Sequence, residues 1–491
     1  MAKPIHYLSA HELRAKLESG ELTSADLTAS LLDTRIDIVN KCNAIVIHAP
    51  RDSIIKQAKD LDAERAAGKV RSKLHGIPIV VKDVVINDAS MGMGTSAGAS
   101  GVMDTMTATK NSVLLQRLLD AGMIVVAKTN LTELCGLKSD NTPIGWSGVQ
   151  GQTLSPYRRE GLDEKDQPEA SGSSSGSCVC VAAGFTPVAI GSDTSGSIIF
   201  PGMANGVYSV KLHMDSVPED GLFRMTDSFD AMGPIARDVD DLIALADVMT
   251  GTQTVNKNAD IITEKPFEGW NIGATSPEWG VHESMLKGKW DQPDVLAIYN
   301  ESLENIEANG AKVARSLSLP GEETFKYNGE GMFSISYQEF PHQFEKFASY
   351  FSKRTEIHNL NDLIKWNEAN ASRAMPEPYS TQTELINSSK TTLDPKKRDD
   401  ALAELRRMAV EAISGAMTTA GGLDILLTSE STIIRHLALA DWAHAAVPTG
   451  QWKKNGQPLG MIAVPKDGRL DTLLRFMRRW QRVFPDVIQR P

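Results

Sequence analysis

The stretch Glu169–Pro201, EASGSSSGSCVCVAAGFTPVAIGSDTSGSIIFP, decides how this chain is read. Two Ser/Gly clusters bracket an apolar segment, and Ser and Gly at that density ordinarily make a flexible linker. Here the residues between Cys178 and Ile190 are too hydrophobic to stay solvated, so both clusters must be tethered to a core. A tethered Gly-rich loop turns backbone amides toward a ligand or a reacting atom. The pattern predicts a helix from Ser175 to Gly184 and a short buried strand from Pro187 to Ile190 that carries the second cluster at its end. Ser173 and Ser197 are the candidate hydroxyls.

Working upstream, Leu74–Val85 (LHGIPIVVKDVV) places Lys82 inside a β-branched run bounded by Gly76 and Pro78. Such a strand is buried on both faces, so the lysine stem is at least partly inside. An edge lysine snorkelling to solvent is the plain alternative; a lysine whose ammonium is desolvated can instead act as a base. The loop Gly92–Gly101 has no lysine after its glycines and lacks a phosphate-binding pattern. A helix from Asn111 to Ala121, a strand from Met123 to Ala127 and a helix from Lys128 to Leu134 are expected, a succession that indicates an α/β layered fold.

Further out, Ser9–Glu12 has capping-box spacing ahead of an amphipathic helix, and helices after Thr23 and from Ser53 to Ala67 flank a strand at Ala44–His48. Downstream, Gly206–Lys211 reads as a strand and Ala236–Thr250 as a helix, followed by a polar stretch from Gly251 toward Gly288. Helices at 300–310, 333–350, 360–374 and 398–419 suggest a helical layer or lid. Leu423–Leu427 and Gly460–Val464 return as strands, and Leu470–Phe484 is a closing helix.

The 491 residues carry a net charge of −11, and no basic stripe offsets it, which argues against nucleic acid or an anionic membrane as a partner. Cys42, Cys135, Cys178 and Cys180 are too few and too scattered for a disulfide framework, and Cys178-x-Cys180 lacks a second pair at zinc-like spacing. Reduced core cysteines fit a cytoplasmic protein. No run approaches ~18 uninterrupted apolar residues, so no membrane span is expected. No cofactor or metal is called for.

Several ordered segments together resemble the amidase signature family: the HGIPIVVKD strand, AGMIVVAKTNLTEL, GWSGVQGQTLSPY, the two serine clusters, and the segment from Tyr208 to Gly251. The spelling GSSSGS and the GWSG…GQT loop are most similar to its peptide-amidase-like branch. The resemblance implies a central mixed β-sheet surrounded by α-helices in one large domain, 1–491. Within it, 1–73 would be an N-terminal helical layer, 74–250 the signature core, 251–422 a helical lid or insertion, and 423–491 the return to the sheet. It further implies a Ser-Ser-Lys triad, with Lys82 as base, Ser173 as bridging serine and Ser197 as nucleophile. Ser173 and Ser197 stand 24 positions apart, the family spacing. Thr194, Ser195 and Gly196 correspond to the loop whose amides form the oxyanion hole.

The implied activity is hydrolysis of a small-molecule or peptide-type amide through an acyl-enzyme, with a homodimer left open as the assembly. The alternative is a non-hydrolytic relative, turned to acyl transfer or esters or kept as a binding component. Ser195 stands where the family has Gly or Asp, and Leu212-His213 stands where it has Pro-Thr. A competing motif is Gly172-Ser-Ser-Ser-Gly176, which satisfies G-x-S-x-G, but that elbow needs a strand before Gly172 and a late histidine such as His436 or His444. Asp193 is expected to cap the turn beside Ser197.

Overall fold

The computed structural model describes residues 3–255, 260–280, 292–392, 394–429 and 431–491. Among these residues eleven strands join one sheet. In chain order they are β1 (Ile45–His48), β2 (Pro78–Lys82), β3 (Ile124–Thr129), β4 (Val188–Asp193), β5 (Tyr208–Lys211) and β6 (Ala231–Ala236). Then come β7 (Asn271–Thr275), β8 (Lys312–Leu317), β9 (Ile425–Thr428), β10 (His444–Gln451) and β11 (Pro458–Pro465). Across the sheet the order is β1-β3-β2-β4-β6-β5-β10-β11-β9-β7-β8. β2 runs parallel to β3 and β4, and β7 parallel to β8 and β9, while the remaining pairs are antiparallel. The sheet is mixed, as the resemblance implied.

Strand side chains alternate between the two faces, and in the second half of the sheet each face has its own core. Ile425, Leu427, Ala445, Val447, Met461 and Ala463 join the larger core with Phe476 and Trp480 of the helix Leu470–Val483. Their neighbours Leu426, Ala446, Ile462 and Val464 face Ile199, Phe200 and Met203 of the helix Ile199–Ala204, with Ile413 and Leu437 behind them. Burial on both faces explains why these strands read as continuous apolar runs rather than alternating ones. All four cysteines are free. Among the described residues no helix is long and apolar enough to cross a membrane.

Several elements differ from the expectation. The helix predicted from Lys128 to Leu134 is absent: Lys128 and Thr129 complete β3, and Glu133–Gly136 is a single 3-10 turn in which Leu134 and Cys135 have φ of 50° and 57°. Lys128 is held in the strand because its buried Nζ donates to Thr95 Oγ1 at 2.9 Å. The segment 251–422 is not helical throughout, since β7 and β8 extend the sheet beside β9. β8 is half-exposed and carries Lys312 and Arg315, which hides it from an apolar search and suits a sheet edge. β6 and β10 contain Gly and Pro and were not expected; the helix after β6 starts at Val239, capped by Asp238. The polar stretch toward Gly288 lies partly outside the described residues.

Candidate active site

The parallel register of β2 and β4 pairs Val81 with Ile190, which brings Lys82 at the end of β2 alongside the last residues of β4. Sites in α/β sheets form at the carboxyl ends of parallel strands, where the loops diverge. Lys82 is fully buried there rather than snorkelling outward. Its Nζ donates to Ser173 Oγ at 2.8 Å, to Ser192 Oγ at 2.9 Å and to the Ser192 carbonyl at 3.1 Å. An ammonium has three donors, and all three are matched.

Ser173 and Ser197 come from the two clusters, and backbone bonds hold the clusters together. The Ser174 amide donates to the Ser197 carbonyl at 2.9 Å. Ser174 Oγ donates to the Ser192 carbonyl at 3.1 Å and accepts from the Ser192 amide at 3.3 Å. The Gly172–Ser173 peptide is cis, and the Ser173 carbonyl accepts from the Thr132 amide at 3.2 Å. Ser197 is half-buried, immediately ahead of the helix Ile199–Ala204, whereas Ser173 is buried.

Between β4 and Ser197 the chain makes a tight turn clamped by Asp193, as expected of a capping carboxylate. Its two oxygens accept from the Gly196 and Ile198 amides, each at 2.7 Å. Gly196 has φ +107°, and a Cβ there would lie 2.3 Å from the Phe200 ring, so no other residue fits without displacing that ring. Thr194 is held by its side chain, whose Oγ1 donates to Asp230 Oδ1 at 2.6 Å, and by its carbonyl, which accepts from Lys211 Nζ at 2.6 Å. Burial works against the Asp193 charge, but Lys211 at 3.6 Å, His444 and the two amides outweigh it and hold the carboxyl below its usual range. Ser195 is half-buried.

The elbow alternative has no support. No strand precedes Gly172, and Ser174 Oγ is engaged with Ser192. His436 faces the Pro320 carbonyl at 2.8 Å and packs against Phe325 and Trp279. His444 is buried against the Trp442 carbonyl at 2.7 Å; burial, with Lys211 adding to it against Asp193, pushes its imidazole down to about 4. Trp146 is core, buried against Tyr379.

Three participants escaped the sequence: Ser192, Lys211 and Asp230. Lys211 carried the same signal as Lys82, a lysine inside an apolar run, here Val207–Leu212. Ser192 and Asp230 gave no signal of these roles, because the contacts that tie them to the site, to Lys82 and to Thr194, join residues 110 and 36 positions apart in the chain.

The comparisons with known proteins follow the same lines. A peptide amidase from Stenotrophomonas maltophilia superposes with a TM-score of 0.84 at 26% identity, covering 99% of both chains. An acylamidase of Rhodococcus erythropolis is 26% identical over 99% of this chain and 98% of its own length. One component of the glutamyl-tRNA(Gln) amidotransferase of Thermobifida fusca is 31% identical over 62% of this chain, and the match spans 58% of that relative's length. The first relatives matched are thus covered over only about three fifths of their own length. The Amidase family model matches residues 26–469. With nine tenths of its length under that model, the chain belongs to the Amidase family.

Proposed function

We propose that the protein hydrolyses an amide bond through Ser197, with Ser173 relaying protons to Lys82. The observation that carries this is the buried 2.8 Å contact between Lys82 Nζ and Ser173 Oγ, at the foot of the loop that presents Ser197. A serine hydroxyl is a weak nucleophile unless a base takes its proton as it attacks. In the unprotonated form of Lys82 the amine accepts the Ser173 proton as Ser173 accepts that of Ser197. Ser197 Oγ then bonds to the amide carbon, and the carbonyl oxygen becomes an oxyanion. When the C–N bond breaks, Ser173 returns a proton to the departing amine. Water repeats the sequence on the acyl ester and releases the acid.

Proton transfer of this kind contributes ~10² to ~10⁴-fold. Oxyanion donors add about 3–4 kcal/mol each, and the turn from Thr194 through Ser195 and Gly196 to Ser197 is the source of them, with Gly196 serving chiefly to shape it because its own amide is bound to Asp193. Neither a cofactor nor a metal has a step in this scheme. The acylamidase and peptide amidase likenesses favour a linear amide as substrate.

A fluorophosphonate probe tests the scheme, read by intact mass and peptide mapping. Wild type is expected to be labelled once, at Ser197; labelling is lost in Ser197→Ala and falls by at least ~100-fold in Lys82→Ala. His436→Ala is expected to label at the wild-type rate. An unlabelled wild type would support the binding-component reading, and a labelled Ser197→Ala would place the nucleophile elsewhere. A panel of primary amides, anilides and esters, run with and without an added amine, then separates hydrolysis from acyl transfer.

A further inference from the structure

Three peptide planes of the turn from Asp193 to Ser197 are fixed by named partners, two of them outside the turn and one the Asp193 carboxylate itself. The Thr194 carbonyl is held by Lys211 Nζ at 2.6 Å. The Thr194–Ser195 peptide is trans, the cis bonds of the described residues being Gly172–Ser173 and Glu377–Pro378. In a trans peptide the carbonyl and the following N–H point in opposite directions. Ser195 N–H therefore points away from Lys211.

The next plane is reversed. Gly196 N–H turns back to Asp193 Oδ1, while the Gly196 carbonyl accepts from the Phe200 amide at 2.9 Å. That last bond turns Ser197 N–H away from the helix, by the same geometry. Burial agrees with this direction: Lys211 is 2% exposed, and within the turn only Ser195 and Ser197 are half-exposed while Asp193, Thr194 and Gly196 are buried.

Resting on the proposed function above, we infer that Lys211 is a positioning residue that, through the Thr194 carbonyl, aims Ser195 N–H at the oxyanion formed on attack by Ser197, beside the Ser197 N–H whose direction the Phe200 amide sets. Three acceptors converge on its ammonium: Thr194 O, the Phe229 carbonyl at 2.8 Å, and the Asp193 carboxylate at 3.6 Å. Each belongs to a different part of the site. Asp193 clamps the turn, Thr194 opens it, and Phe229 precedes Asp230, which holds the Thr194 hydroxyl. A point charge with three rotatable donors satisfies that set, whereas a planar guanidinium on a longer stem does not. The lysine thus sets the donor direction without touching substrate.

The test measures phosphonylation of Ser197 by the fluorophosphonate probe, whose phosphoryl oxygen must enter the same donor pair. Rate constant and final stoichiometry are recorded from pH 6 to pH 10 for wild type, Lys211→Met and Lys211→Gln. A positioning role lowers the rate constant by about 100-fold in Lys211→Met, leaves one label per folded chain, and preserves the shape of the pH profile because the contact between Lys82 and Ser173 is untouched. Lys211→Gln, which keeps one donor, falls between. A purely structural role lowers the labelled fraction while the rate constant of the labelled molecules stays at the wild-type value, and that result overturns the inference. Should Lys211→Met fail to fold, Lys211→Gln decides alone, with a rate constant within about twofold of wild type counting against the inference. If wild type labels at a residue other than Ser197, the proposed function fails instead, and the two failures are told apart by the mapped peptide.

Discussion

Lys82 donates to three oxygens, and two of them belong to Ser192, a residue outside the serine clusters' obvious hydroxyl pair. Removing the Ser192 hydroxyl leaves the amine held only by Ser173 and the Ser192 carbonyl, and so less firmly aimed at Ser173. Ser192→Ala is therefore expected to slow phosphonylation about 10-fold, a fraction of the whole proton-transfer contribution, with one label still reaching Ser197. Gly196→Ala combines a left-handed φ of +107° with a Cβ 2.3 Å from Phe200, so it should cost at least ~100-fold in rate. Adding Phe200→Ala removes the clash but not the backbone penalty, and stopped-flow labelling of the double variant should recover only part of the loss. Lys82 was legible because a cation inside an apolar run must find buried partners. Lys128 and Lys211 satisfy the same rule, but what each contacts depends on strand order, which residue spacing does not encode.

Among elements, helices with strong caps were read well and strands with weak composition were not. Ser9 and Glu12 form the capping box their spacing indicated, and the helix they open runs Ala10–Ser19. β10 was missed because HAAVPTGQ holds Pro448 and Gly450, yet it lies mid-sheet between β5 and β11; its pairing with β11 shifts register between those two residues, which is how a strand accommodates Pro and Gly. The first helix is fastened to the helix Val239–Thr250 through His11, with Asp238 and Asp241 lying 3.6 and 3.5 Å from Nδ1. Those two carboxylates raise the imidazole from 6.5 to about 10. The folded chain then holds more protons than the unfolded one between those values, so stability falls as pH rises. The contribution is complete below about pH 6.5 and gone above about pH 10. Its size is modest because His11 is half-exposed. The melting temperature of wild type should exceed that of His11→Asn at pH 6, and the two should converge by pH 10. Curves that stay parallel across that range would remove His11 from the fastening.

At the scale of the molecule, the sheet joins segments that no local pattern could have ordered: β5 at Tyr208–Lys211 pairs with β10 at His444–Gln451, and β7 with β9 across the whole helical block. That the fold is α/β was legible from the alternation of helix and strand; the strand order was not, because apolar runs buried on both faces are interchangeable in composition. The helical block is tied to the site's half of the sheet through Lys138, which a buried ion pair holds in place. Lys138 Nζ donates to Glu133 Oε2 at 2.9 Å and to the Ala374 carbonyl, and lies 5.1 Å from the Trp146 ring centre. Both side chains are essentially without solvent exposure. Burial raises the Glu133 carboxyl against the pull of Lys138 and the Gly148 amide, so the pair compensates a charge that would otherwise be costly in the interior. Lys138→Met leaves Glu133 unpaired, a change that costs about 3–5 kcal/mol. Lys138→Met/Glu133→Gln removes the stranded charge while keeping an acceptor for Gly148, and should recover more than half of that loss. A chain of this length need not unfold in one step, so the comparison is made on the urea midpoint of the tertiary transition and on protease cleavage within residues 374–384. Cleavage there should accelerate in the single variant before the sheet unfolds and slow only in part in the double, which still lacks the bond to the Ala374 carbonyl. Equal midpoints for the single and double variants would mean that Lys138 acts through Ala374 alone and that the ion pair does not anchor the block.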